Sequence, residues 1–257
     1  MKQSLTVFFT TIIGILTIAA TSNAGERGIP FSPGEKISFQ VRWAFIPAGE
    51  VQLETLPFDV VNGVKSYHFR MTARTYPLID PFYKVRDRID AYADAEMSHS
   101  ILYKKKQDGK SKRDIVVNFN WEKLEAQYSN FNTKIEPISI SPGAFDPLSI
   151  FYAFRLFELK TGTKINAPVT DGKKFVNGEA TVLNQEKIYV PDKWYETYLV
   201  EPDLEHIGGV FKQSKDAKLQ IWVTADDRRI PVRIKSKVVV GSFVAELVSY
   251  EVGEVVH

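Results

Sequence analysis

The chain has 257 residues, with 33 Lys and Arg against 31 Asp and Glu, a formal net charge of +2 and no cysteine. Charge this close to balance argues against nucleic acid as a partner, and the missing thiols exclude disulfides, thiol catalysis and a lipid on an N-terminal Cys. A chain of this length can bury enough core to be stable without cross-links.

Residues Met1–Ala24 read as a cleaved signal peptide. Lys2 precedes an uncharged stretch from Gln3 to Ala24 with an apolar centre from Leu5 to Ala20, and Ser22-Asn23-Ala24 places small residues at the last and third-last positions. A retained anchor is the rival reading, but the apolar centre is shorter than the roughly 20 residues a spanning helix needs. Cleavage after Ala24 leaves Gly25–His257 as one exported β-rich domain without a transmembrane segment.

The mature chain alternates with a period of two. Ile37, Phe39, Val41 and Trp43 interleave with Ser38, Gln40 and Arg42, and Pro47-Ala48-Gly49 is expected to turn the chain into a strand from Val51 to Leu56. Asn62-Gly63, between Phe58–Val61 and Val64–Thr72, is a type I′ hairpin signal that places Tyr67, Phe69 and Met71 on one face and His68 and Arg70 on the other. After the proline-bounded loop Tyr76–Pro81, Tyr83, Val85, Asp87, Ile89 and Ala91 share a face. Asp87 is the odd member: it either pairs near a strand end or lines a cavity. Asp108-Gly109 predicts a hairpin whose ends carry Lys104–Lys106 and Lys110–Arg113, read as solvated strand ends or, alternatively, as a contact for anionic lipid headgroups or polysaccharide. Strands follow over Ser111–Trp121, Leu124–Tyr128 and Lys134–Ile140.

One segment breaks the pattern. In Ser141–Lys160, Asp146 suits an N-cap, Pro147 the first helical position, and the apolar run through Phe157 is too hydrophobic for a solvated helix, so the spacing predicts a buried helix over 146–160. Asp146, Ser149, Tyr152 and Arg155 lie three apart on one face. Arg155 either satisfies a carboxylate or carbonyl across the core, or joins Tyr152 in meeting an acidic or phosphate-bearing ligand. Further strands run over Lys164–Pro168, Lys173–Asn177 (around Asp171-Gly172), Glu179–Val190, Trp194–Glu201, Leu219–Thr224, Ile230–Val240 and Phe243–Val252. Turn signals at about 8- to 12-residue spacing suit a sandwich or barrel. The predicted fold is therefore mainly β: a single curled antiparallel sheet, a partly open barrel or sandwich, packed around one central helix.

Catalytic signatures are missing. The four histidines, His68, His99, His206 and His257, lack metal-ligand spacing, and no nucleophile elbow, Walker loop or dinucleotide fingerprint occurs. The acidic run Glu201–His206 lacks the order of a calcium loop, and Asp226-Asp227 reads as a turn. No metal, cofactor or catalytic residue is expected.

Phe31-Ser32-Pro33-Gly34-Glu35-Lys36 with Trp43 and Ala48-Gly49, Asp146-Pro147-Leu148-Ser149 with Phe151-Tyr152 and Arg155, and Trp222-Val223-Thr224 with Asp226 and Arg229–Val232, taken with Phe82–Val85 and Gly241, together resemble an exported bacterial family, domain of unknown function 3108. The resemblance spans nearly the whole mature chain and implies a Gram-negative envelope protein of the periplasm, with no activity or site residue to carry over. The curled sheet is also similar to the half-barrel of periplasmic lipoprotein carriers, at the level of fold alone.

Export, aromatic-rich strands and missing catalytic motifs point to a non-catalytic binder of a lipid-like or glycan-bearing ligand, held in a groove between sheet and helix. Trp43, Tyr83, Arg86, Tyr152, Arg155 and Trp222 are its candidate lining. The rivals are an envelope scaffold that docks a protein partner through an edge strand, and a hydrolase using carboxylates such as Asp87 and Asp226.

Overall fold

The computed structural model describes residues 28–109, 112–203, 218–238 and 241–253. The leader over Met1–Ala24, Lys110, His206, His257 and the acidic run beyond Asp203 lie outside the described residues.

Among the described residues, fifteen strands form one antiparallel sheet built from two meanders. The first comprises β1 (Lys36–Trp43), β2 (Ile46–Val61), β3 (Val64–Thr75), β4 (Arg86–Asp94), β5 (Ser100–Asp108), β6 (Lys112–Asn120) and β7 (Glu125–Asn130), with the two-residue β8 (Thr133–Lys134) and β9 (Ile138–Ser139) both paired to β7. The second comprises β10 (Lys164–Thr170), β11 (Phe175–Val190), β12 (Lys193–Pro202), β13 (Lys218–Thr224), β14 (Pro231–Val238) and β15 (Gly241–Glu251). Pairing of β15 with β1, from Lys36↔Glu251 to Trp43↔Phe243, welds the meanders together.

The sheet curls without closing into a barrel. Between its ends runs the segment before the helix: the Ser100 amide donates to the Ala144 carbonyl at 3.1 Å, the Phe145 amide to Pro168 at 2.9 Å, and the Thr170 amide to Phe145 at 2.9 Å. The helix, α1 (Ser149–Ala153), continues as a 3-10 turn (Phe154–Leu156) and stops at Phe157, which is extended at φ −74° and ψ 145°. It is therefore shorter than the apolar run suggests.

Period-two alternation sets which side chains meet. Tyr67 and Phe69 are buried, and Phe69 stacks on Tyr152 of α1 at 3.9 Å, while His68 and Arg70 on the other face reach Asp90. Phe39, Leu53, Ala91, Tyr103 and Val117 continue the inner face, each buried in the main core. Asn62 (φ 53°) and Gly63 (φ 80°) make the expected β2–β3 turn. The β1–β2 turn differs from expectation. It lies at Ala44-Phe45, and Pro47-Ala48-Gly49 belongs to β2, with a bulge beside Arg42. Gly49 serves close approach rather than turning, because a Cβ there would sit 2.3 Å from the Arg74 carbonyl of β3. The strand read over Lys134–Ile140 is two short pieces, β8 and β9.

Candidate functional site

The helix owes its position to buried polar anchors at both ends. At its start the Asp146 carboxylate accepts from the Leu148 and Ser149 amides at 2.8 and 2.9 Å and from the Ser100 hydroxyl at 2.5 Å. Burial pushes this carboxyl up, against the pull of those hydrogen bonds. At its end Arg155, 1% exposed, forms a two-pronged ion pair with Glu35 at 2.6 and 2.9 Å and donates to the Arg228 and Pro30 carbonyls at 2.9 and 3.1 Å. Tyr250 adds its hydroxyl to Glu35 at 3.2 Å. The face carrying Asp146, Ser149, Tyr152 and Arg155 is thus wholly interior. Burial raises the Tyr152 phenol, whose oxygen faces Thr55 Oγ1 without regular hydrogen-bond geometry.

The other helix face makes the groove. Ile150, Phe151, Phe154 and Phe157 roof a hollow of about 380 Å³ whose floor is β10 and β11 and whose far wall includes Leu219 and Ile221 of β13. Its origin is local. Ala167 lies directly opposite Gly178, and Ile165 opposite Ala180, so small side chains sit where larger ones would fill the space under the aromatics. A Cβ on Gly178 would meet nothing nearer than 3.5 Å. Six polar or charged residues join this lining, Thr170, Asp171, Lys174, Asn177, Glu179 and Asp203; the buried Thr170 hydroxyl donates to the Lys174 carbonyl at 2.8 Å, and Glu179 is paired with Lys164 at 2.7 Å. A smaller hollow of about 50 Å³, sharing Phe151 and Phe154 with the groove, reaches the stem of Arg155 and Val223. A third, of about 650 Å³, has charged walls that include Glu35, Lys36, Glu54, Lys65 and Glu251.

The six residues singled out from the sequence do not converge on the groove: Tyr152 and Arg155 share the interior helix face, Trp43, Tyr83 and Arg86 lie on one rim, and Trp222 is apart from both. Trp43 is 40% exposed at the end of β1 and stacks on Phe243, and Tyr83 is 54% exposed in the β3–β4 loop. Arg86 opens β4 and ties that loop down through Asp80 at 2.6 Å. Tyr152 and Arg155 are core residues, of which Arg155 borders the smaller hollow. Trp222 alternates with the lining residues Ile221 and Val223, so its ring turns from the groove, and its indole N–H donates to Glu186 at 2.6 Å. The aromatic lining on α1 and the Ala167–Gly178 pair escaped the sequence reading. The available signal was the run of small residues in two strands that flank a turn.

Two carboxylates considered for hydrolysis stand at opposite rims. Asp87 accepts from Gln107 at 2.7 Å, and Asp226, in the β13–β14 turn, takes Thr224 and Arg228 on its two oxygens. Burial raises Asp226, but these partners outweigh it and hold the carboxyl low. Ser98, His99 and Asp94 meet in the β4–β5 turn, where Asp94 accepts the Ser98 and His99 amides and the Ser98 hydroxyl, a turn lock rather than a nucleophile relay. Among the described residues no cluster of three or more His, Asp or Glu could hold a metal, and no helix is long and apolar enough to cross a membrane.

Comparison with known families matches residues 38–248 to the model of a protein of unknown function, DUF3108. The chain belongs to the DUF3108 family. A β-barrel-like protein of domain of unknown function DUF1849 from Brucella abortus is similar to the DUF3108 chain in fold, with 10% identity, a TM-score of 0.53, and coverage of 88% of this chain and 100% of that one. Weaker likeness extends to a structure described as an exported protein with a YmcC-like fold from Bacteroides fragilis (8% identity, 87% and 98% covered, TM-score 0.37) and to one described as a lipoprotein from Parabacteroides distasonis (9% identity, 87% and 98% covered, TM-score 0.35). No curated protein matches the chain.

Proposed function

We propose that this DUF3108 chain is an exported envelope protein of the periplasm, matured by loss of Met1–Ala24, and that it holds the hydrocarbon part of a lipid-like ligand without chemistry on it. The observation that carries this reading is the groove of about 380 Å³, aromatic above and floored by Ala167 and Gly178, with a predominantly apolar lining. Its size lies in the range of small-molecule sites, about 300–1,000 Å³, and its lining suits an acyl chain better than a glycan. The edge-scaffold alternative has less support, since β8 and β9 are two residues each and β10 already bonds Phe145.

The test is native mass spectrometry of protein purified without detergent, followed by extraction of whatever is bound, on wild type and Gly178→Leu. The backbone at Gly178 accepts a side chain, and leucine there fills the groove. A stoichiometric lipid in wild type that is lost from a folded Gly178→Leu supports the reading. A bare wild-type mass, or equal lipid in both proteins, refutes it.

A further inference from the structure

The antiparallel order puts alternate connections on the same rim of the sheet, and one rim gathers exposed apolar side chains at its tips. The β1–β2 turn presents Trp43, Phe45 and Ile46 at 40%, 85% and 38% exposure, and the β3–β4 loop presents Leu78, Phe82 and Tyr83 at 76%, 75% and 54%. The two are neighbours: the Tyr76 amide donates to Ala48 at 3.0 Å, and Gly49 pairs with Thr75. Neither is held loosely. Beneath the loop Ile79 is buried, Arg86 and Thr75 clamp Asp80, and the Tyr83 amide returns to Ile79 at 3.0 Å. Ala44 sits at φ 53°, a left-handed conformation that favours glycine, at the position that turns Phe45 outward.

Charge accompanies this patch. Two of its acids are neutralised, Asp80 by Arg86 and Glu50 by Arg74, and Asp87 is held by the neutral Gln107, whereas three exposed lysines, Lys84 and, on β14 beside it, Lys235 and Lys237, form no ion pair among the described residues. Aromatic and aliphatic tips flanked by surplus lysines match a bilayer surface, where Trp and Tyr settle at headgroup depth and cations meet anionic lipids. Separate protruding tips also suit a soft surface better than the flat, closely fitted core of a protein interface.

We propose that this rim docks the protein on an anionic membrane surface, with Phe45, Leu78, Phe82 and Tyr83 inserted among the headgroups and Lys84, Lys235 and Lys237 above them. The groove extends toward the same rim, since its lining includes the β10–β11 turn, the end of β12 and the start of β13. Docking stands on the rim's own observations and needs no ligand in the groove.

The chain has no cysteine, so single cysteines report cleanly. Phe82→Cys on this rim and Val60→Cys near the opposite one, 68% exposed, are each labelled with an environment-sensitive fluorophore and mixed with phosphatidylethanolamine–phosphatidylglycerol vesicles. Phe82→Cys is expected to brighten and shift blue while Val60→Cys stays unchanged, and added salt should reverse part of the response. In flotation, Phe45→Ser/Leu78→Ser/Phe82→Ser should bind about tenfold less than wild type with an unchanged circular dichroism spectrum, and Gly178→Leu should bind like wild type. That last variant separates failure of docking from failure of the groove reading. Equal response at both labels, vesicle binding that survives the triple substitution, or a partner protein that engages position 82 where vesicles do not would each overturn the proposal.

Discussion

Arg155 and Glu35 lie 120 residues apart in sequence, yet both are fully buried and joined by two hydrogen bonds. Arg155→Met removes both bonds, strands Glu35 with Tyr250 as its remaining side-chain partner, and takes a donor from the Arg228 and Pro30 carbonyls. An uncompensated buried charge costs about 3–5 kcal/mol, a large part of the roughly 5–15 kcal/mol that holds a typical domain folded. At about 2–4 °C per kcal/mol for a chain of this size, the melting temperature should fall by about 6–20 °C. The double variant Arg155→Met/Glu35→Leu removes the stranded charge along with its cause and should recover at least about 2 kcal/mol of the loss. Urea titrations followed by circular dichroism, with the slope checked for constancy, measure all four corners of the cycle. A single variant within about 1 kcal/mol of wild type, or a double variant as unstable as the two singles combined, would refute the reasoning. One consequence is that any ligand lost on substituting Arg155 would be confounded with lost stability, so the groove has to be probed at Gly178.

Asp146→Ala should cost about 2–4 kcal/mol by leaving the Leu148 and Ser149 amides unbonded in the interior, whereas Asp146→Asn keeps an acceptor and should stay within about 1 kcal/mol at neutral pH, both read by urea titration. Because burial raises the Asp146 carboxyl, the folded state holds that proton more tightly than the unfolded state. Its contribution is full in acid and is lost as pH rises through the folded pKa, a dependence Asp146→Asn should abolish. Asp90 has the opposite sign. Burial raises it, but hydrogen bonds from His68, Arg88 and Arg70 prevail and hold it well below the usual carboxylate range. Its stabilisation is present above the unfolded value of about 3.9 and disappears as pH falls below it. Between about pH 5 and pH 3 the urea midpoint of Asp90→Asn should therefore fall less than that of wild type. An equal fall would contradict the assignment.

Much of the sheet was legible because its causes are local. Asn62-Gly63 occupies the two-residue turn its backbone preferences suggest, Asp171-Gly172 falls in a four-residue connection between Thr170 and Phe175 rather than the expected two-residue one, and the alternation of Tyr67, Phe69 and Met71 against His68 and Arg70 matches the two faces of β3. The β1–β2 turn was misplaced because Gly49 looks like a turn residue, while its real constraint is the Arg74 carbonyl on the next strand. The helix was overestimated for a similar reason. Phe154 and Phe157 are apolar because they roof a groove, so their hydrophobicity carries no information on where the backbone leaves the helix.

Period-two patterning and local turn and capping signals therefore determined a β-rich chain with one helix among the described residues, since each depends on residues a few positions apart. Only the tertiary structure decided which distant residues meet: β15 against β1, Arg155 against Glu35, and α1 over Ala167 and Gly178. A curled sheet brings together strands that are remote in the chain, and the space left between them depends on side-chain sizes across that contact rather than on any pattern along one segment.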